Sequence, residues 1–395
     1  MRNTRFFWFT PCKAILLFSP ASIASAFEWE FEGQASIENR QFVHTIAEVS
    51  DSNPSVTSSL KWQGFNPDSF DQINIDIFSR KDFTDSARTK LDIREAMYIH
   101  IADQYEVHVG IGKVFWGVTE SRHLVDTINQ TDLIENIDFE QKLGQPMISV
   151  STDQDWGTLQ GWVLPYFRER TFASEEGRLS SKLTVLDKAR YESSAEQKHV
   201  DVALRYSHVF DTIDFGIALF DGTQREPYLL PTPEGLQPFY AQMQQVSVDL
   251  QATQGAWLWK LEALHRSTRE DYFASVAGFE YSITGVFGTN YNVGLISEYQ
   301  YDSRKEKSTS FSQQDIFMGL RWVFNDIDGT EVILGTSQDV SGFGSSWTKL
   351  EASSRINNQL KWNLNMWYFS GDDLQDPITL LNEDDYAEFI LTWYF

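Results

Sequence analysis

The stretch Asp385-Tyr-Ala-Glu-Phe-Ile-Leu-Thr-Trp-Tyr-Phe395 decides the fold. Side chains on a strand alternate between its two faces. Here Ala387, Phe389, Leu391, Trp393 and Phe395 share one face, and Glu388, Thr392 and Tyr394 share the other, with Ile390 as the exception. One face is apolar and aromatic; the opposite face is mixed. Such a strand fits either the wall of a membrane-spanning barrel or the edge of a soluble sandwich, and the rest of the chain discriminates between them.

Upstream, the same two-residue period recurs with turn residues between segments. Phe27, Trp29 and Phe31 open the first segment. Leu91, Ile93, Met97, Ile99 and Ile101 mark the fourth. Ile316, Met318, Leu320, Trp322 and Phe324 alternate cleanly near the end. Eighteen segments are countable, and the fold class expected is all-β, a transmembrane antiparallel β-barrel of about 16–18 strands. The connections alternate in length. Tight turns fall at 102–104, 153–157, 207–212, 253–255, 325–329 and 357–358. Longer polar stretches fall near 39–54, 80–90, 114–146, 168–197, 221–240, 302–314 and 370–384. Short periplasmic turns and long extracellular loops are the barrel pattern; a sandwich has no reason to sort its connections this way.

Composition agrees. Aromatics are 14% of the chain and mean hydropathy is −0.35. No run after residue 26 is long and apolar enough for a helical span. A barrel wall needs only every second residue to be apolar, with aromatic girdles at both interfaces. Residues 1–26 read as a signal peptide, with Arg2, Arg5 and Lys13 before the short apolar core Ala14–Phe18 and a small-x-small site at Ala24–Ala26. Residues 27–395 would form the barrel. Cys12 is the only cysteine and lies in the leader, so a processed chain has neither disulfides nor thiolate metal sites. The formal charge is −24, and about −27 without the three basic leader residues. A chain this acidic is a poor partner for nucleic acid. Acidic loops on an outer surface favour cations nearby.

The closing segment ending at Phe395 resembles the last strand of Gram-negative outer-membrane barrels. That resemblance implies delivery by the barrel assembly machinery to the cell outer membrane, with lipid and lipopolysaccharide as surroundings. The third long connection carries a second resemblance. Lys113-x-x-Trp116-Gly117 followed by Asp126-x-Ile128-Asn129-x-x-Asp132 is similar to a segment of proteobacterial porin-like families. It covers about thirty residues closely and the remainder in architecture only. In general porins the third loop folds inward and narrows the pore. By this resemblance Trp116 and Gly117 form a tight bend with an aromatic anchor, while Asp126, Asn129 and Asp132 bond to the wall or line a constriction. An ordinary surface loop with Asx turns is the competing reading. The family implies a channel for passive diffusion of small polar solutes or ions and leaves a homotrimer open.

The strand faces opposite the apolar sets carry Asp92, Arg94, Arg205, Lys260, Glu262, Arg266, Glu280, Glu298, Arg321, Lys349, Glu351, Arg355 and Lys361. A charged residue facing mid-membrane lipid costs roughly 2–4 kcal/mol for Arg or Lys, so these belong in a wet or salt-bridged lumen. His100 and Glu106, flanking one turn, are expected to point inward as a cross-strand pair. No catalytic, cofactor-binding or metal-ligating set is read. His44, His123 and His199 lie near loops without a nucleophile motif. Asp372, Asp373 and Asp376, and Glu383–Asp385, match no calcium-loop spacing and read as solvated loops. The rival functions are a plugged barrel serving as adhesin or assembly scaffold, with the Pro227–Pro233 run as a recognition or lid element, and a barrel phospholipase or protease.

Overall fold

The structure is a computed structural model that describes residues 27–180, 183–308, 310–342, 344–372 and 376–395. The leader expected at residues 1–26 lies outside them, as does Asp373. Eighteen antiparallel strands form one sheet, each paired with its neighbour in sequence. The first, Glu28–Phe42, also pairs with the last, Tyr386–Tyr394, so the sheet closes on itself. Closure leaves no exposed edge, which the hydrocarbon of a bilayer requires. Each alternating segment read in the sequence coincides with one strand. All tight turns lie at the end of the barrel that holds both strand termini, and the long loops lie at the other.

The closing seam has three components. Backbone bonds join Gly33 and Phe395 in both directions, at 2.8 and 2.9 Å. Inside the barrel, Ser36 and Thr392 share a hydrogen bond of 2.9 Å, and Arg40 pairs with Glu388 at 2.6 Å. Outside, the Phe395 ring lies across Gly33, where an added Cβ would meet ring carbons at 2.3 Å. The glycine is thus the space into which the terminal aromatic folds.

On the outer face, Phe31, Ile37, Phe389, Trp393 and Phe395 are exposed, as lipid-facing residues must be. Aromatic rings crowd the turn end: Trp257 on Trp259 at 5.4 Å, Trp322 on Phe324 at 5.8 Å, Trp156 on Tyr206 at 6.2 Å. Amphipathic rings collect at a membrane–water boundary.

One strand departs from simple alternation. In Lys90–Ile101, Ile93 pairs with Ile77 and Glu95 with Asp76, leaving Arg94 as the extra residue of a β-bulge. A one-residue slip turns every later side chain to the opposite face. Leu91 and Ile93 stay outside, but Met97 is buried in the interior with Ile99 packed beside it. The inward His100–Glu106 pair is therefore overturned. His100 shares a face with Val107, and its Nδ1 lies 2.7 Å from Asp71. Glu106 stays inside, opposite Ile101, and lies 3.3 Å from His108.

Met97 belongs to an apolar patch on the interior wall, with Met147, Trp162, Leu164, Ala203, Ala218, Phe220 and Met243. At the loop end, Tyr228–Thr232 and Gly235–Tyr240 form a hairpin, and Arg190–Tyr191 pairs alongside it. The Pro227–Pro233 run thus supplies one strand of that hairpin. The acidic stretches near the C-terminus are solvated only in part: Asp372 and Glu383 are exposed, whereas Asp384 pairs with buried Arg178 at 2.8 Å, and Asp385 accepts the Phe369 amide at 2.8 Å.

Candidate functional site

The connection between Glu106–Gly112 and Gln145–Gln154 does not project outward. Residues 113–144 run inside the barrel. The chain enters the lumen because its apolar residues have a place to go: Trp116, Val125 and Ile128 are buried against the interior patch. Trp116 meets Trp162 edge-on at 5.3 Å, under the Arg205 guanidinium. At Gly117 φ is +147°, and a Cβ there would press on His123 and the Glu262 carboxylate. Only glycine meets both demands.

The remaining residues singled out in this segment hold it in place. Asn129 donates to the carbonyls of Gly112 and Leu143, both at 2.9 Å, and accepts from the Val114 amide at 2.8 Å, tying the two ends of the loop together. Asp126 accepts from the Trp116 amide at 3.4 Å and pairs with Lys142 at 3.1 Å. Asp132 is fully buried between Lys90 at 2.6 Å and Arg94 at 2.7 Å. Nearby, Glu135 is clamped by Arg80 at 2.7 Å and Lys90 at 3.0 Å, and its backbone carbonyl accepts from Arg40. Burial alone would raise the Glu135 carboxyl, but these cations hold it down at about 2.

Across the lumen, the opposite wall receives the loop through two carboxylates. Glu262 accepts from the amides of Val118 at 2.7 Å, Thr119 at 3.0 Å and Val125 at 3.2 Å, and from the Thr119 hydroxyl at 2.8 Å. Glu298 accepts from the amides of Glu120 at 2.7 Å and Ser121 at 2.8 Å and the Ser121 hydroxyl at 2.5 Å. Glu120 then reaches Arg321 at 2.6 Å and stands 3.9 Å from Lys260. Lys349 pairs with Asp138 at 3.2 Å and Glu351 at 2.7 Å. His123 lies 2.9 Å from Glu140; its Nδ1 is 3.8 Å from Glu262, too far for a hydrogen bond. Burial works against a charge on His123, but these two carboxylates outweigh it and raise its pKa to about 10.

The other wall charges divide between loop contacts and cross-strand pairs. Asp92 holds Arg168 at 2.7 Å and Arg94 at 3.2 Å. Arg205 forms a two-pronged pair with Asp249, at 2.6 and 2.8 Å, passing over Gly216. Arg266 donates to Gln245 at 2.6 and 2.9 Å. Glu280 lies 3.6 Å from Arg321. Arg355, over the Tyr394 ring, and Lys361 face each other across one strand pair at the turn end, away from the loop.

Between the inner loop and the wall lies a cavity of about 200 Å³. Glu120, Arg122, His123, Phe139, Glu140 and Lys142 face it from the loop; Arg266, Tyr272, Trp347 and Lys349 face it from the wall. None of Trp116, Gly117, Asp126, Asn129 and Asp132 lines it. The sequence reading found the residues that fasten the loop and missed those it presents, because a loop has no periodicity to reveal which side faces the opening. Each of His44, His123 and His199 meets a carboxylate, and among the described residues none has a hydroxyl nucleophile within hydrogen-bond reach.

The closed antiparallel ring of eighteen strands superposes on solved outer-membrane porins. A BenF-like porin from Pseudomonas fluorescens superposes with a TM-score of 0.55 at 12% identity, covering 94% of this chain and 98% of the other. The fold is that of an outer-membrane porin. OpdO from Pseudomonas aeruginosa gives 0.54 at 9% identity over 94% and 97% of the two chains. OccD3 of the same organism gives 0.53 at 8% over 93% and 91%. No protein-family model matches the chain, and no curated protein matches it in sequence.

Proposed function

We propose that this chain is a porin-like channel of the Gram-negative outer membrane, without enzymatic activity, through which small polar solutes or ions diffuse passively. The observation that carries this reading is the inner loop pinned across the lumen by Glu262 and Glu298, beside a cavity whose walls hold charges of both signs. A loop held by Lys90 and Arg94 on one wall and by Glu262 and Glu298 on the other narrows the lumen. Opposed charges at such a narrowing give a transverse field that sorts solutes. The cation preference suggested by net charge belongs to the loops; at the cavity Arg122, Arg266 and Lys349 stand among Glu120, Glu140 and Glu226, and the local field is set there. The porin fold also supports placement in the outer membrane with the long loops outside, surrounded by lipid and lipopolysaccharide, and assembly through the strand ending at Phe395.

Planar-bilayer recording of the refolded protein tests the proposal. Stepwise openings with a defined reversal potential in a salt gradient are expected. A folded barrel that stays electrically silent would overturn the channel reading in favour of a plugged scaffold, and hydrolysis of lipid or peptide would favour the enzymatic one.

A further inference from the structure

At the loop end of the interior wall, four neighbouring strands bring polar residues into one row. Gln300 stands directly opposite Asp315, and Asp315 directly opposite Asp339. The register continues to Ser345, one place beyond the Gln338–Ser346 pair. The Ser345 hydroxyl donates to Asp376, which caps the short helix Pro377–Leu381. Asp315, Asp339 and Asp376 are all buried, with exposures of 4%, 9% and 8%.

Asp315 and Asp339 face each other directly. Like charges facing each other across a strand pair are destabilising, and buried charges need partners. Among the described residues no Lys, Arg or His forms an ion pair with Asp315 or Asp339. The nearby Arg304 is engaged by Asp302 at 2.7 Å and Lys349 by Asp138 at 3.2 Å. Asp315 receives the Gln313 amide at 2.7 Å and the Ser337 hydroxyl at 3.4 Å; Asp339 receives the Ser341 amide and hydroxyl, both at 2.7 Å, and the Gly342 amide at 3.2 Å. Among the described residues, only hydrogen-bond donors meet these two carboxyl groups.

A second observation is independent of the acids. Gln300 has 0% exposure, and neither its amide oxygen nor its amide nitrogen has a hydrogen-bond partner. Cross-strand partners point to the same face, so this amide is aimed at the space beside Asp315. A fully buried amide with both ends unmet marks a place for a missing partner.

We propose that Gln300, Asp315 and Asp339 form a binding site for a divalent cation, Ca²⁺ or Mg²⁺, on the interior wall near the loop rim. The donors are carboxylate, amide and hydroxyl oxygens, which hard cations prefer. No group of three carboxylate or histidine ligands converges among the described residues, so amide oxygen, Ser345 and water complete the shell. A site of this kind binds in the range of about 0.1–1 mM, typical of extracellular Ca²⁺ modules. It is independent of whether the barrel conducts.

The test uses the full refolded chain in detergent, stripped with EDTA and titrated with CaCl₂ and MgCl₂ by calorimetry. Terbium luminescence excited through Trp347, opposite Ser337 on the adjoining strand, gives a second readout. One saturable site is expected, with a Ca²⁺-dependent rise in melting temperature. Asp315→Asn and Asp339→Asn are expected to abolish both, and Gln300→Leu to weaken binding at least several-fold while leaving the carboxylates in place. Absence of saturable binding by the folded wild type overturns the proposal and points to a proton shared by the Asp pair. Undiminished binding by the Asn variants also overturns it and moves the ions to the acidic loops.

Discussion

Replacing Glu262 and Glu298 together by alanine frees the inner loop from the far wall while leaving the barrel intact. Five backbone amides lose their acceptor, those of Val118, Thr119, Val125, Glu120 and Ser121. A buried amide left unpaired costs roughly 1–3 kcal/mol. Water fills part of the vacated space, so the lower end applies, and five such groups weaken docking by about 5 kcal/mol. At about 1.4 kcal/mol per tenfold change, the ratio of docked to released loop falls more than a thousandfold. The strand ladder does not depend on either carboxylate, so the variant still folds, as heat-modifiable migration on SDS gels will report. Single-channel recordings then show larger conductance and added noise from a mobile loop. Glu262→Gln with Glu298→Gln is the graded control: the acceptor oxygens remain, but charge-assisted bonds are about twice as strong as neutral ones, so the loop is only partly released. A folded double-alanine variant with wild-type conductance and noise would refute the reasoning, because the loop would then be held elsewhere or would not narrow the path.

Alkaline pH acts on the same fastening through His123. Its folded pKa of about 10 lies above the ordinary value near 6.5, so its contribution is fully present below about 6.5 and lost as pH rises through 10; channel noise is expected to grow over that window, and to lose this dependence in His123→Gln. Asp132→Ala leaves Lys90 and Arg94 without their shared buried partner. Breaking a buried pair costs about 3–5 kcal/mol, and the lower end is expected because Lys90 keeps Glu135 and Arg94 keeps Asp92; the urea midpoint measures it. Gly33→Leu puts a side chain where the Phe395 ring lies, so the fraction folded after refolding into detergent falls, and Phe395→Ala in the same chain restores much of it.

The strand wall was readable because lipid on one side imposes a strict two-residue period, which survives in the letters from Phe27 to Phe395. The lumen was readable only as a charge inventory. Glu262 and Glu298 stand opposite apolar residues like any other wall charge, and nothing local says that they receive amides from a loop more than a hundred residues earlier in the chain. Asn129 gives no signal for tying Gly112 to Leu143, since its partners are backbone atoms. The bulge did leave a trace. Arg94 and Glu95 are two successive charged residues in a run that otherwise alternates, and two neighbours cannot both face inward unless the strand gains a residue there. The His100–Glu106 pair fails because the bulge turns His100 outward while Glu106, on the next strand, stays inside.

The bulge at Arg94 also makes one strand serve two solvents. Upstream of it, the strand gives its apolar residues to the bilayer; downstream, Met97 and Ile99 go to the seat that receives Trp116, Val125 and Ile128. A strand of the same length without the bulge would exchange inside for outside over its second half, sending His100 into the lumen and Met97 into lipid. The membrane would accept Met97, because methionine is at home in hydrocarbon, but Glu95 would turn outward with it. The interior would lose the oily floor on which its one inward loop rests. One unpaired residue in a wall strand therefore decides what the barrel can contain.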